Sequence, residues 1–287
     1  MSRSKWLGVK TNEKKYSEFD STQKFIGFVW NGVEKTVGLP PGKKDERMRQ
    51  ISPFLDRNAK FNVHDVMVLA GRLNHLTFVL PQLRCYLRSI YRWQMSWQNP
   101  AATRETPDDM KEDLTSWLEA LDKYKAMDLI PDADPTDVGW VGDASTSFGI
   151  GVIIGKKWAQ FRINREQELS ERSRSIAWLE TAAIRIGLIS LISIGVVPGR
   201  TFIVWTDNTT THSAILQRKS RDTLVNKEWK KIQELLLSHK IDISPRRVVS
   251  KENRADGLSR GDASSHNPNN KIEVALPEDL QQLFIQI

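Results

Sequence analysis

The sequence predicts a mixed α/β protein built from two unlike halves, a mainly helical region with a β-hairpin followed by a sheet flanked by helices. Three observations predict it. Residues 128–137 (Asp-Leu-Ile-Pro-Asp-Ala-Asp-Pro-Thr-Asp) place two prolines and four acids in ten positions, which suits a linker. Before that seam helical signals dominate, whereas after it strand-like runs alternate with helical ones. Four of the acids in the second half, Asp143, Glu180, Asp207 and Asp256, each stand in a different local context.

In chain order, Lys24–Trp30 and Thr36–Leu39, on either side of Asn31-Gly32, read as a β-hairpin, because Asn-Gly suits a tight two-residue turn. Residues 45–56 read as a short helix interrupted near its end by Pro53. Asn62 to His75 is a capped amphipathic helix. A helix over Leu83–Trp97 carries Arg84, Arg88 and Arg92 at four-residue intervals, with Trp93 and Trp97 read as core rather than base-stacking residues. Another spans Thr106–Tyr124, with Pro107 in its first turn. Past the seam, Val138–Gly142, Phe148–Ile154 and Lys157–Ile163 give three antiparallel strands. Ser175–Ile192 is a long helix and Thr201–Thr206 a buried strand. Helices over Thr209–Gln217 and Asp222–His239 are separated by the basic turn Arg218-Lys-Ser-Arg221, with Asp222 as an N-cap. Ile241–Val249 is a further strand, and Asn253–Arg260 a short terminal helix. From Gly261 to Lys271 the chain is polar and reads as a mobile tail.

Composition narrows the function classes. The 287 residues suffice for one large domain or two modest ones. A formal charge of +7 and a pI near 9.4 favour a polyanionic partner, a weak signal by itself. A single cysteine, Cys85, excludes an internal disulfide and a cysteine-cluster zinc site, and its helical surroundings make it a small buried side chain. The most apolar stretch, Ile184 to Val197, is broken by Arg185, Gly187 and two serines, so no membrane partner is expected. The first six residues lack the apolar core of a secretory signal, which makes cytosol or nucleus the expectation.

The four acids carry the chemistry. Asp143 ends an apolar strand, Glu180 lies inside a helical run, Asp207 closes another strand, and Asp256 falls in Glu252-Asn-Arg-Ala-Asp-Gly-Leu-Ser-Arg260. Such a set is what a two-metal phosphodiester-cleaving site needs, since two neighbouring divalent cations require several hard oxygen ligands. Each acid also has a plainer reading. An aspartate at a strand end is commonly a turn residue, and Asp207 before Asn-Thr-Thr-Thr suits a helix cap. Glu180, in a largely apolar helix, is harder to dismiss, and the set points to a site more strongly than any member.

With these elements and acids in place, residues 138–262 closely resemble the ribonuclease H domain of retroelement reverse transcriptases. The order of elements matches, as does the order of acids, which lie 37, 27 and 49 residues apart. Thr206-Asp207-Asn208 and Asn253-Arg-Ala-Asp256, the latter followed by Gly-Leu-Ser-Arg260, look like the strings of long-terminal-repeat and tyrosine-recombinase retroelements. The first half is similar to the region upstream in such polyproteins. Phe25-Ile-Gly-Phe28 resembles the hairpin that closes the polymerase palm and helps hold the primer end. Gly71-Arg-Leu-Asn-His-Leu76 and Pro81-Gln-Leu-Arg84 resemble the thumb and following helices. The likeness covers roughly residues 20 to 262.

The resemblance implies a ribonuclease H-like five-stranded mixed sheet flanked by helices, preceded by the thumb-like region and its hairpin. It divides the chain into a palm-end and thumb region (1–127), a linker (128–137), the nuclease domain (138–262) and a C-terminal tail (263–287). No Tyr-X-Asp-Asp polymerase loop occurs, and the one Asp-Asp pair, Asp108-Asp109, stands at a helix start where a capping role fits. No RNA-directed DNA polymerase activity is therefore expected from this chain, and the palm and fingers of a longer polyprotein become a possible partner. Without them, Phe25, Ile26 and Phe28 should be partly exposed.

The implied activity is cleavage of the RNA strand of RNA–DNA hybrids, leaving 5′-phosphate and 3′-hydroxyl ends. The implied cofactor is a pair of Mg²⁺ ions, with Mn²⁺ able to substitute: Asp143, Glu180 and Asp207 anchor one, Asp143 and Asp256 the other. Ser145, Thr146, Ser147 and Asn208 are candidates to hydrogen-bond phosphates or 2′-hydroxyls. Arg218, Lys219 and Arg221 suit the hybrid's backbone, although a solvated surface turn fits them equally well. Arg84, Arg88 and Arg92 are placed to track phosphates from the thumb side. One departure stands out: many ribonucleases H carry a histidine before the last acid, where this chain has Ser250-Lys-Glu-Asn253. His212 and His239 lie elsewhere, which implies slower or differently assisted turnover. Two other classes compete: a non-catalytic nucleic-acid-binding remnant of the same fold, and a transposase or integrase, which normally uses three acids.

Overall fold

The computed structural model describes residues 6–8, 18, 20–129, 134–165 and 175–287. It opens with β1 (Thr22–Phe25), β2 (Phe28–Asn31) and β3 (Thr36–Gly38). A single strand was expected over 24–30; the chain instead reverses at Ile26-Gly27, with φ of 49° and 80°. Two successive positive φ values make the tight turn that pairs β1 with β2, and glycine supplies one at no steric cost. Phe25 and Ile26 at this turn are exposed as expected, but Phe28 is buried, with its ring stacked on His75.

Next come α1 (Lys43–Ile51), a 3₁₀ turn containing Pro53, β4 (Lys60–Phe61) and α2 (Val63–Leu76). The α2 helix starts with a capping box: Asn62 accepts from the Asp65 amide, and Asp65 accepts from the Asn62 amide. The helix expected over 83–97 divides into a 3₁₀ segment, Pro81–Leu87, and α3 (Arg88–Met95), so Arg84 stands on the tighter segment. Then follow β5 (Arg104–Glu105), α4 (Asp108–Asp122) with Pro107 as its N-cap, and β6 (Met127–Asp128), which pairs with β3. Of the expected linker, residues 130–133 lie outside the described residues.

The second half comprises β7 (Thr136–Ala144), β8 (Gly149–Ile154), β9 (Lys157–Ile163), α5 (Ile176–Ser193), β10 (Thr201–Thr206), α6 (Thr209–Gln217), α7 (Thr223–His239), β11 (Asp242–Arg247), α8 (Asp256–Ser259), α9 (Glu278–Gln281) and β12 (Phe284–Gln286). The sheet order is β11-β10-β7-β8-β9-β12. Strand β10 runs parallel to β7 and β11, and the remaining pairs are antiparallel. This six-stranded mixed sheet with helices is compatible with a ribonuclease H-like fold. It has one strand more than the five expected.

The extra strand comes from the expected tail. Trp158 donates its indole N–H to the Asn267 carbonyl (2.9 Å), the Ile272 amide bonds the Trp158 carbonyl (2.9 Å), and β12 then pairs with β9. Val274, Leu276, Leu280 and Phe284 are buried along this path. Their apolar surface is what ties a mostly polar segment to the sheet edge.

Helix α5 is long and apolar enough to cross a bilayer by composition, yet it is mostly buried in the core, packed against β7, β8 and α7. Its close approach to the sheet depends on Gly187, where a Cβ would stand 2.3 Å from the Trp140 indole nitrogen. One continuous apolar core runs through both halves. Polar clasps cross between them onto α7: Asn226 donates to the Cys85 carbonyl (2.9 Å), Tyr86 to Glu234 (3.4 Å), and Lys230 pairs with the buried Asp113. Cys85 is buried as expected, and burial pushes its thiol pKa up.

Candidate functional site

Strands β7 and β10 are parallel neighbours, so their C-terminal ends fall together, and with them Asp143 and Asp207. That is the edge of an α/β sheet where ligands are usually met. Glu180 reaches the same place from α5, and Asp256 begins α8. The seat of α8 is made by Gly151, which faces Asp143 across the β7–β8 pair. A Cβ on Gly151 would lie 2.5 Å from Leu258 Cβ and 2.8 Å from the Ala255 carbonyl oxygen. Glycine there lets the helix lie directly on the sheet, where Ala255 and Leu258 close a small core with Val141, Ile153 and Trp158.

The last motif also holds the earlier acids. Asn253 Nδ2 donates to both Asp143 Oδ1 (2.9 Å) and Asp207 Oδ1 (3.1 Å), tying the ends of β7 and β10 together. Ser259 Oγ donates to Asp143 Oδ2 (2.5 Å), and Arg260 Nε to Asp256 Oδ1 (2.9 Å). Asn253 and Ser259 were not singled out as site residues in the sequence. Their signal was positional: each stands three residues from Asp256, on either side of it. Asn208 serves both as the N-cap of α6, accepting from the Thr210 and Thr211 amides, and as a hydrogen-bond partner of Glu180.

Electrostatics mark the cluster. Glu180 is 6% exposed. Burial, then the negative charges of Asp143 and Asp207, push its pKa up to about 8, against hydrogen bonds from Asn208 and the Ala144 backbone. Asp143 is raised by burial and by Asp207 and Asp256, opposed by the Ser259 hydrogen bond and the Arg260 charge. Among the described residues, none of Asp143, Glu180 and Asp207 forms an ion pair. The donor set fits a hard divalent cation in kind, being all carboxylate oxygens that repel one another without one. It is not gathered as a finished cage: among the described residues no three His, Cys, Asp or Glu side chains are grouped to hold a metal ion. Binding would require the carboxylates to exchange hydrogen bonds from Asn253 and Ser259 for the ion.

The candidate substrate contacts divide. Ser145, Thr146 and Ser147 stand in the loop after β7, where the Ser145 and Ser147 hydroxyls bond each other at 2.7 Å and Thr146 is exposed. Arg218 is engaged elsewhere, donating to both Asp242 oxygens (2.8 and 2.6 Å) and to Gln233. Arg88 donates to the Ser220 carbonyl and the Thr223 hydroxyl. Arg84, Arg88, Lys219 and Arg221, which come from different halves, line one cavity. Trp93 is buried and Trp97 packs on it, in keeping with a core role. His212 is half-buried on α6, and the His239 ring lies 3.0 Å from the Leu235 carbonyl at the end of α7.

No family model matches the chain, and no curated protein matches it in sequence. Among solved structures it is similar to a foamy viral protease-reverse transcriptase in complex with an RNA/DNA hybrid, at 11% identity and a TM-score of 0.34, over 92% of this chain and 33% of that one. It is also similar to the foamy viral protease-reverse transcriptase dRH in complex with double-stranded DNA, at 12% identity and a TM-score of 0.31, over 79% and 38% of the two chains. This chain thus spans roughly a third of the length of those proteins. Likenesses so distant carry no argument, and the site rests on its own residues.

Proposed function

We propose that this chain is a divalent-metal-dependent endonuclease that cuts the RNA strand of RNA–DNA hybrids. The observation that carries this reading is the convergence of Asp143, Glu180 and Asp207 from three elements into a largely buried, mutually repelling set that, among the described residues, forms no ion pair. Burying ionisable groups near like charges is costly, and such arrangements concentrate where chemistry needs them.

Asp143, Glu180 and Asp207 would hold one Mg²⁺, and Asp143 with Asp256 a second, with Mn²⁺ as a substitute. When bound, the ions supply charge neutralisation at the phosphate and activation of a water. The protein's own groups orient: Asn253 sets Asp143 against Asp207, Ser259 fixes the second oxygen of Asp143, and Asn208 steadies Glu180. Ser145, Thr146 and Ser147 lie on the loop next to Asp143 and are suited to hydrogen-bond phosphate or 2′-hydroxyl oxygens. In this reading residues 1–127 correspond to the palm end and thumb of a reverse transcriptase, and 138–262 to its nuclease domain. A palm and fingers from a longer polyprotein would be the polymerase partner, with no polymerase activity from this chain alone.

One observation favours a second reading, a nucleic-acid-binding protein that does not cut: the Asn253 amide links two of the acids directly, in the role a cation would take. Incubating a hybrid labelled on its RNA strand with the chain and Mg²⁺ or Mn²⁺, beside Asp143→Asn, separates the two. Metal-dependent cutting that disappears in the variant supports the nuclease. Equal binding by both proteins with no cutting supports the second reading.

A further inference from the structure

From Asn267 to Ile287 the chain forms a strap that runs from the β9 edge onto α5. It is fastened to β9 at its start through Trp158 and near its end through the β12 pairing. Gln286 ties the two ends together, accepting from the Val274 amide (3.0 Å) and donating to the Ile272 carbonyl (2.6 Å). The strap then grips α5 at two points. The Phe284 ring lies parallel to the Trp178 ring, with centroids 6.1 Å apart. Asp279 accepts from both terminal nitrogens of Arg185, at 2.6 and 3.0 Å. Arg185 also donates to Glu228 on α7 (2.7 Å), and Lys231 donates to Asp279 (2.5 Å).

Glu180 lies between these two grips. Trp178 is two residues before it and Arg185 five after, about 3 Å and about 7.5 Å along the axis at the helical rise. Glu180 and Arg185 are the two charged residues of α5, whose buried surface is otherwise mostly apolar. Apolar contact holds a helix in place but is non-directional, so it does not set the aim of one side chain. A two-pronged arginine–carboxylate pair and a ring contact do carry direction. We infer that the strap is a positioning element for metal binding: Asp279 and Phe284, acting through Arg185 and Trp178, set Glu180 against Asp143 and Asp207 so that the three can share a divalent cation. Outer contacts that orient a metal ligand typically change affinity by about 10–100-fold when they are lost. This inference rests on the nuclease reading for the identity of its ligand.

The test is Mn²⁺ binding by titration calorimetry, on the full chain and without nucleic acid. Asp279→Asn keeps the size of the side chain and leaves Arg185 its Glu228 partner, and Phe284→Leu keeps its site apolar. Melting curves confirm that each variant is folded. Asp279→Asn should weaken Mn²⁺ binding by about tenfold and Phe284→Leu by less. Asp279→Glu, which keeps the charge, should retain most of the affinity. Asp113→Ala is the control: it loosens the clasp between the halves and should lower the melting temperature while leaving Mn²⁺ affinity unchanged. Strap variants that bind Mn²⁺ as the parent does overturn the inference. So does a loss of affinity that follows melting temperature across all variants, Asp113→Ala included. Cutting of the hybrid is scored separately. Parent and strap variants that bind Mn²⁺ and cut alike sink the strap's role and leave the nuclease standing; strap-dependent Mn²⁺ binding with no cutting does the reverse. A parent chain that binds no Mn²⁺ overturns both.

Discussion

Asp113 and Glu180 are both buried carboxylates, 1% and 6% exposed, yet they are treated in opposite ways. Asp113 lies where the halves clasp, accepts from Ser89 Oγ at 2.6 Å and pairs with Lys230. Glu180 sits among other acids, with Asp143 and Asp207 adding to the burial that raises its pKa. A third buried group follows the Asp113 pattern: Arg185 bonds Glu228 and Asp279 together. Burial works to raise Asp279, but Arg185 and Lys231 hold it down at about 2. Acids that build this fold are each given a cation, whereas those at the strand ends are given one another. A carboxylate left without a counter-charge costs stability, so the second group has to be explained by what it binds.

The largest way to break that contrast is at Asp143. Asp143→Asn should lower metal-dependent cleavage of a hybrid by about a thousandfold or more, with no loss in melting temperature. A variant that melts well below the parent would make Asp143 a structural acid like Asp113. The reciprocal change, Asp113→Ala, should cost about 3 kcal/mol in a urea titration, because it leaves Lys230 unpaired at the clasp. Activity per folded molecule should stay the same.

Glu180→Gln sharpens the contrast by its sign. Replacing an acid that repels its neighbours should stabilise the metal-free protein at pH 8 by about 1–3 kcal/mol. The ceiling is about 5 kcal/mol, from a pKa moved from 4.5 to about 8. The pH dependence has a defined direction. Between these two values folded Glu180 keeps its proton while the unfolded chain has lost it, so rising pH favours unfolding. The parent should therefore match the variant near pH 4.5 and fall behind it progressively towards pH 8. Millimolar Mg²⁺ should then raise the melting temperature of the parent at pH 8 and move the variant less. Parallel stability curves for the two proteins would remove Glu180 from the repelling set.

How much of this was readable in the sequence follows the same division. The strand-end acids stand in short, regular contexts, so Asp143 and Asp207 could be placed from local pattern alone. Pattern also located α2, whose Asn62 and Asp65 cap is a local device. The supporting groups were harder to see. Asn253 acts on residues 110 and 46 positions earlier, and nothing near it announces those partners. Arg218 was read as a substrate contact from the charge of its turn, and only tertiary structure shows Asp242 beside it. The sixth strand escaped because β12 is three residues long and its burial depends on the β9 edge. The break at Ile26-Gly27 was missed as a strand boundary because Asn31-Gly32 is the louder turn signal.

The smallest effect is expected at an acid that is neither buried nor repelled. Asp109 is half-exposed in the first turn of α4 and pairs with the exposed Arg92. Surface pairs of this kind contribute about 0–1 kcal/mol, since water screens them and both side chains lose freedom. Its place in the first turn adds a few tenths through the helix dipole. Asp109→Asn should thus shift a urea midpoint barely beyond error, and leave cleavage of the hybrid unchanged. A large loss of activity with intact stability would mean that the Asp108-Asp109 pair takes part in chemistry after all, and that the division between structural and functional acids does not follow burial.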